Sequence, residues 1–219
     1  MFSRHLKKLA QPIWDAQLKH PFIEALGNGS LPKEKFRFYI IQDSLFLFDL
    51  AKVFSAAAQK STDVETMQKF TQLAADTIEV ERGLHKEYGR QWKMTEMAAF
   101  PMAPTNYAYT RHLLQVAAAG TLAETTVVAL PCAWIYVEVG QHLTKEAPPP
   151  ETHPYKNWLA LYSSPAFAEV ARWMCEKVDQ WAKGVGADEK LRMESHFVIS
   201  SRYEWMFWEM AWREERWPV

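Results

Sequence analysis

Two cysteines in 219 residues are too few for a disulfide framework, so a reducing compartment is expected and each thiol must be judged as a possible nucleophile. Glycine is scarce as well, with eight residues, and none falls in a glycine-rich loop able to cradle a phosphate. Charge of one sign is missing: the formal net charge is −1, with acidic and basic residues interspersed, which leaves no electrostatic footprint for nucleic acid or an anionic membrane. Long apolar runs are absent too. The longest uncharged stretches, such as Thr125 to Val137, fall short of the about 20 apolar residues that cross a bilayer. The opening Met1-Phe2-Ser3-Arg4-His5-Leu6-Lys7-Lys8 lacks the apolar core and cleavage site of a secretory signal. A soluble, cytoplasmic protein is expected, with neither nucleic acid nor membrane as partner. No nucleophile elbow or serine triad signature is found.

Apolar residues recur at spacings of three and four almost throughout, and no segment keeps the two-residue alternation of a half-buried strand. The fold therefore reads as all-α. Breaks at His20-Pro21, Gly27-Asn28-Gly29, Ser61-Thr62, Phe100-Pro101, Gly120, Pro148-Pro149-Pro150, Ser164-Pro165 and Gly184-Val185-Gly186 divide it into about eight helical segments. Thr62 with Glu65, and Thr121 with Glu124, have the spacing of a capping box, and Ser164 before Pro165 that of a helix start. The short connections predict mostly antiparallel neighbours. No stretch resembles a linker, so one domain over residues 1–219 is expected.

Aromatic residues make up 14% of the chain. Large rings of this kind either build the core or stack on a flat ligand inside it. Three polar groups fall where a core should be. Asp43 lies in the middle of a stripe formed by Phe36, Tyr39, Ile40, Phe46, Leu47 and Leu50. Glu204 shares a face with Phe197, Ser201, Phe207, Trp208 and Ala211, while Arg202, Glu209 and Arg213 point away. A buried carboxylate with no partner costs several kcal/mol, so each acid needs a donor, a cation or a ligand. A structural role, with bonds to tyrosines, indoles or helix ends, stays open for both. The third group is Cys132 in Leu130-Pro131-Cys132-Ala133-Trp134-Ile135-Tyr136, where Pro131 removes one helical hydrogen bond and Ala129 and Thr125 leave room beside the thiol and Tyr136. Cys175 reads as an inert core residue. Glu81 and His85 have the i, i+4 spacing of two metal ligands, but Asp76, Glu79, Arg82, Lys86 and Glu87 around them mark a solvated face, and no metal is expected.

Ordered motifs from end to end resemble the TenA (thiaminase II) family: His20-Pro21-Phe22, Gly29-Ser30-Leu31-Pro32, Phe36-x-x-Tyr39-x-x-Gln42-Asp43, Pro104-Thr105-x-x-Ala108-Tyr109-Thr110, Leu130-Pro131-Cys132-x-Trp134-x-Tyr136, Tyr155-x-x-Trp158-x-x-x-Tyr162 and Glu204-x-x-Phe207-Trp208. The resemblance implies a haem-oxygenase-like helical bundle that needs no haem or other cofactor, assembled as a homotetramer. It also implies hydrolysis of thiamin, or of its aminomethyl pyrimidine degradation product, to the hydroxymethyl pyrimidine. By position, Cys132 matches the nucleophile, Glu204 the carboxylate facing a ring nitrogen, and Asp43 the group bonded to the exocyclic amine. Tyr109 and Tyr162 match polar contacts and Tyr136 a stacking ring. Phe46 stands where many members carry tyrosine; it can stack but not donate a proton, so delivery to the leaving group would fall to Glu204, Tyr109 or water. Two rivals are weighed: a quinone-cofactor oxidase of related fold, whose pocket relies on histidine, arginine and lysine, and a helical protein that binds a pyrimidine or a partner without chemistry.

Overall fold

The computed structural model describes the backbone of residues 1–92 and 100–219, and the side chains of these except 80–82 and 84–92. Nine helices and no strand are found among the described residues: α1 (Phe2–Leu18), α2 (Pro21–Asn28), α3 (Lys33–Lys60), α4 (Val64–Trp92), α5 (Pro104–Ala119), α6 (Leu122–Leu143), α7 (Lys156–Tyr162), α8 (Pro165–Trp181) and α9 (Ala187–Arg213). The count agrees with the about eight segments expected, and the shortest, α7, seven residues long, lies between the breaks at Pro148-Pro149-Pro150 and Ser164-Pro165.

Helix ends follow local chemistry. Thr121 and Glu124 close the capping box at the start of α6, with Thr121 N–H donating to Glu124 at 2.8 Å. Ser164 caps α8 by accepting from the amide of Phe167 at 3.2 Å. At α4 the cap is Asp63 instead of the expected Thr62, because Asp63 Oδ1 accepts from the Thr66 amide at 2.8 Å. A carboxylate one residue nearer the helix is the stronger acceptor for an amide at the positive end of the dipole. Gly29 ends α2 in the left-handed region, at φ 78°, where a side chain would be strained. From beyond α9, Glu215 reaches back to accept from the Thr105 amide at 2.9 Å, placing a negative group at the start of α5.

The centre of the bundle is α6, which packs on α9, α8, α3, α5, α7 and α1. Residues from Ala123 to Pro131 are all buried, as expected of a helix apolar on every side. By length and composition α6 could cross a membrane, contrary to the expectation from the uncharged run alone, because the helix extends through Glu124 at one end and Glu138 and His142 at the other. Within the protein, 78% of that apolar window is buried. The α3–α4 hairpin, joined by three residues, covers one side of this core, and α9 covers another. Between them lies an aromatic stack in which Trp208 sits 5.7 Å from Phe22 and 5.7 Å from Tyr39, ring centre to ring centre. All three rings are fully buried, each contributing roughly 1.5–3 kcal/mol.

Candidate active site

Five helices deliver the predicted residues to one region. Asp43 and Phe46 come from α3, Tyr109 from α5, Cys132 and Tyr136 from α6, Tyr162 from α7 and Glu204 from α9. A cavity of about 270 Å³ has Asp43, Cys132, Tyr136 and Tyr162 in its lining. Glu204, Tyr109 and Phe46 do not line it and are buried. The Tyr109 hydroxyl donates to Glu204 Oε1 at 2.6 Å. The Phe46 ring packs 5.1 Å from that of Tyr109 and 5.7 Å from Phe207.

Both acids sit well above their ordinary range. Burial pushes Asp43 up to about 7. Glu204 is pushed up to about 8, mainly by burial and further by the charge of Asp43, against the opposing hydrogen bond from Tyr109. No donor to Asp43 is found among the described residues, so its oxygens are left for a ligand. The buried indoles are engaged elsewhere: Trp14 donates to Ser201 at 3.1 Å, Trp208 to Gln17 at 2.8 Å, and Trp158 to Tyr39 at 3.2 Å. The structural explanation considered for these acids therefore holds for one bond at Glu204 and for none at Asp43.

Cys132 keeps accessible surface because it opens on the cavity. Burial, then the charges of Glu204 and Asp43, raise its thiol well above the usual range. Cys175 is separate from the cavity, and burial pushes it up to about 12. The side chains of Glu81 and His85, with the metal-ligand spacing, lie outside the described residues.

Two contributors were not assigned from sequence. Tyr39 donates to the Tyr136 hydroxyl at 3.3 Å while accepting from Trp158, which orients the Tyr136 ring. Its position four residues before Asp43 was the available signal. Gly140 lets α6 meet the end of α7: a Cβ there would lie 2.5 Å from the carbonyl carbon of Tyr162. Nothing in the sequence marks that contact, which joins residues of different helices. A larger groove of about 690 Å³ runs between α3 and the C-terminal residues, lined by Arg37, Phe100, Glu215 and Trp217 among others. It holds none of the predicted site residues.

The arrangement is that of an all-helical bundle in which a thiol and a buried acid, Cys132 and Asp43, line one small cavity, with a second buried acid, Glu204, outside that lining. The chain belongs to the TENA/THI-4/PQQC family, which matches residues 7–214. It is 40% identical over 219 residues to an aminopyrimidine aminohydrolase of Halalkalibacterium halodurans, covering 99% of this chain and 97% of that one. Among solved structures it is similar to a TenA homologue from P. horikoshii OT3, with a TM-score of 0.86, 27% identity, and coverage of 97% of this chain and 99% of that one. A Shewanella denitrificans domain described as having a heme oxygenase-like fold matches with a TM-score of 0.75 at 14% identity, over 96% of this chain and 92% of that one. The fold is therefore haem-oxygenase-like, as the resemblance implied.

Proposed function

We propose that the chain hydrolyses thiamin-type aminopyrimidines, releasing the hydroxymethyl pyrimidine, with Cys132 as nucleophile and Glu204 as proton donor to the ring. The observation carrying this reading is that Cys132 and Asp43 line one cavity, while the buried Glu204, outside that lining, is raised to about 8 and its charge helps raise the Cys132 thiol. The likeness to an aminopyrimidine aminohydrolase supports the substrate class.

A neutral aminopyrimidine is a weak electrophile. Protonated Glu204 draws electron density from the ring by hydrogen bonding to a ring nitrogen, and the Cys132 sulfur adds to a ring carbon. The thiol is un-ionised at rest, so its proton must leave as the C–S bond forms; Glu204 is already the proton donor, which leaves the Asp43 carboxylate, on the same cavity, as the acceptor. The dearomatised ring expels the substituent from the adjacent methylene, water adds to that carbon, and loss of the cysteine restores aromaticity. Asp43 binds the exocyclic amine, Tyr136 and Phe46 supply rings, and Tyr109 and Tyr162 hydroxyls. No cofactor is needed, and the protein acts as one domain, in the cytoplasm, as a homotetramer.

The raised thiol favours a second reading, in which the cavity binds a pyrimidine without chemistry. Separate incubations with thiamin and with the aminomethyl pyrimidine, followed by mass, decide between them. Catalytic turnover of excess ligand, lost in Cys132→Ser, supports the hydrolase. Binding without product supports the alternative, and full activity in the serine variant rules out the covalent route.

A further inference from the structure

Six buried side-chain nitrogen and oxygen atoms have no hydrogen-bond partner among the described residues, and three of them fall in one seam between α5 and α9: Nε2 of His112, Nδ1 of His196 and Oγ of Ser200. Native folds leave few such atoms, so three together need a reason. His196, Ser200 and Glu204 are spaced by four along α9 and share one face, while His112 lies three residues after Tyr109 on α5. Ring contacts follow the same order. His112 is 5.7 Å from His196 and 5.9 Å from Tyr203, and Tyr203 stacks on Tyr109 at 5.1 Å, between ring centres. Burial raises the Tyr109 hydroxyl well above its usual range, and the fully buried Ser200 acts on it in the opposite sense, as a donor does, although Oγ makes no hydrogen bond of full geometry. Tyr109 in turn donates to Glu204 at 2.6 Å. The two histidines are half-buried, so this row of polar groups runs from the outside of the bundle to Glu204, which the cavity lining does not include.

We infer that the seam between α5 and α9 is a proton route joining Glu204 to solvent, separate from the substrate cavity, with Ser200 as a relay and the His112–His196 pair as its outer port. The inference rests on the reading of Glu204 as proton donor to the ring, since an acid working behind a bound ligand exchanges its proton by a path that the ligand does not block. One turn of α9 rises about 5.4 Å, the span that one water bridges with two hydrogen bonds of about 2.8 Å. That water lies between the histidines and Ser200. In the inward step the Glu204 carboxylate takes the Tyr109 hydroxyl proton as Tyr109 takes that of Ser200. Ser200 takes one from the water, the water one from an imidazole, and the imidazole one from solvent. One proton crosses, every intermediate group keeps its proton count, and nothing is oxidised or reduced. The groups facing the histidines are Tyr203 and Arg192 from α9 and Glu124 from α6, with Lys60 of α3 beyond Glu124. Burial, then the charge of His196, holds His112 down at about 4, and burial lowers His196. Uncharged at neutral pH, each ring accepts a proton at one nitrogen and releases one from the other.

The test compares the full wild-type chain with Ser200→Ala and with His112→Gln and His196→Gln combined. The infrared carboxyl band of protonated Glu204, identified by its loss in Glu204→Gln, is followed on mixing into heavy water, with and without the hydroxymethyl pyrimidine. Its hydrogen exchange should slow by about tenfold or more in both variants, and kcat for the aminomethyl pyrimidine should fall by a similar factor with KM unchanged. Free imidazole should restore both rates in the histidine variant, which a packing defect would not allow, and Ser200→Thr should keep them. Wild-type exchange rates in Ser200→Ala overturn the route. Should that variant fold poorly, as judged by its thermal midpoint, the histidine variant decides: slowed exchange rescued by imidazole supports the route, and unchanged or unrescued exchange overturns it. The exchange measurement needs no turnover, so a wild type that fails to hydrolyse sinks the proposed reaction, while the route stands or falls on the band.

Discussion

The hydroxyl of Tyr109 donates to Oε1 of Glu204 at 2.6 Å inside the bundle, with both residues buried. This bond joins α5 to α9 and opposes the burial that raises Glu204. It engages one carboxyl oxygen and leaves the other able to carry the proton that the proposed mechanism assigns to Glu204.

Tyr109→Phe removes the one interaction among those acting on Glu204 that lowers its pKa. In the proposed mechanism Glu204 acts in its protonated form, so activity should fall on the alkaline side of about pH 8. In the variant that limb should move to higher pH, while kcat drops by about tenfold or more as the carboxyl loses its orientation. A pH profile of kcat for wild type and variant checks both. An unmoved limb would show that Glu204 is not the titrating group.

Glu204→Gln should make the protein more stable while abolishing turnover. The folded chain holds the Glu204 proton up to about pH 8 against an ordinary value of 4.5. Stability is therefore full at pH below the ordinary value and declines as pH rises through that window, because the unfolded chain releases a proton that the fold retains. Glutamine cannot ionise, and at pH 8 the gain should be of the order of 2–4 kcal/mol. Denaturant midpoints of the two proteins should converge near pH 4. An equal gap at pH 4 and pH 8 would assign the effect to packing.

Gly140→Ala introduces a methyl group 2.5 Å from the carbonyl carbon and 2.6 Å from the carbonyl oxygen of Tyr162. The obstacle is backbone, so α7 must move, and overpacking of this kind costs about 1–3 kcal/mol. Tyr162 and Trp158 ride on that helix, so KM should rise as well as the midpoint fall. Thermal melts with steady-state kinetics measure the two effects together, and an unchanged KM would separate α7 from substrate binding.

Much of the candidate site was legible because a charged residue inside an apolar stripe conflicts with its surroundings, and such conflicts are visible along one helix. Asp43 and Glu204 were found this way, and both are buried. Cys132 stood out through the small neighbours that leave room beside it. Less legible was everything that depends on two helices meeting. That Trp158 bonds Tyr39 and spares Asp43, that Gly140 admits Tyr162, and that Tyr162 lines the same cavity as Cys132 are facts about chain segments far apart in sequence.

The amino-acid order by itself determined that the chain is helical, where most helices start and stop, and which faces turn inward, since periodicity and capping act over a few residues. Only the tertiary structure decided which inward faces confront one another. That pairing raises two carboxyls and a thiol together, because desolvation and charge–charge coupling depend on distances through space that no local pattern encodes.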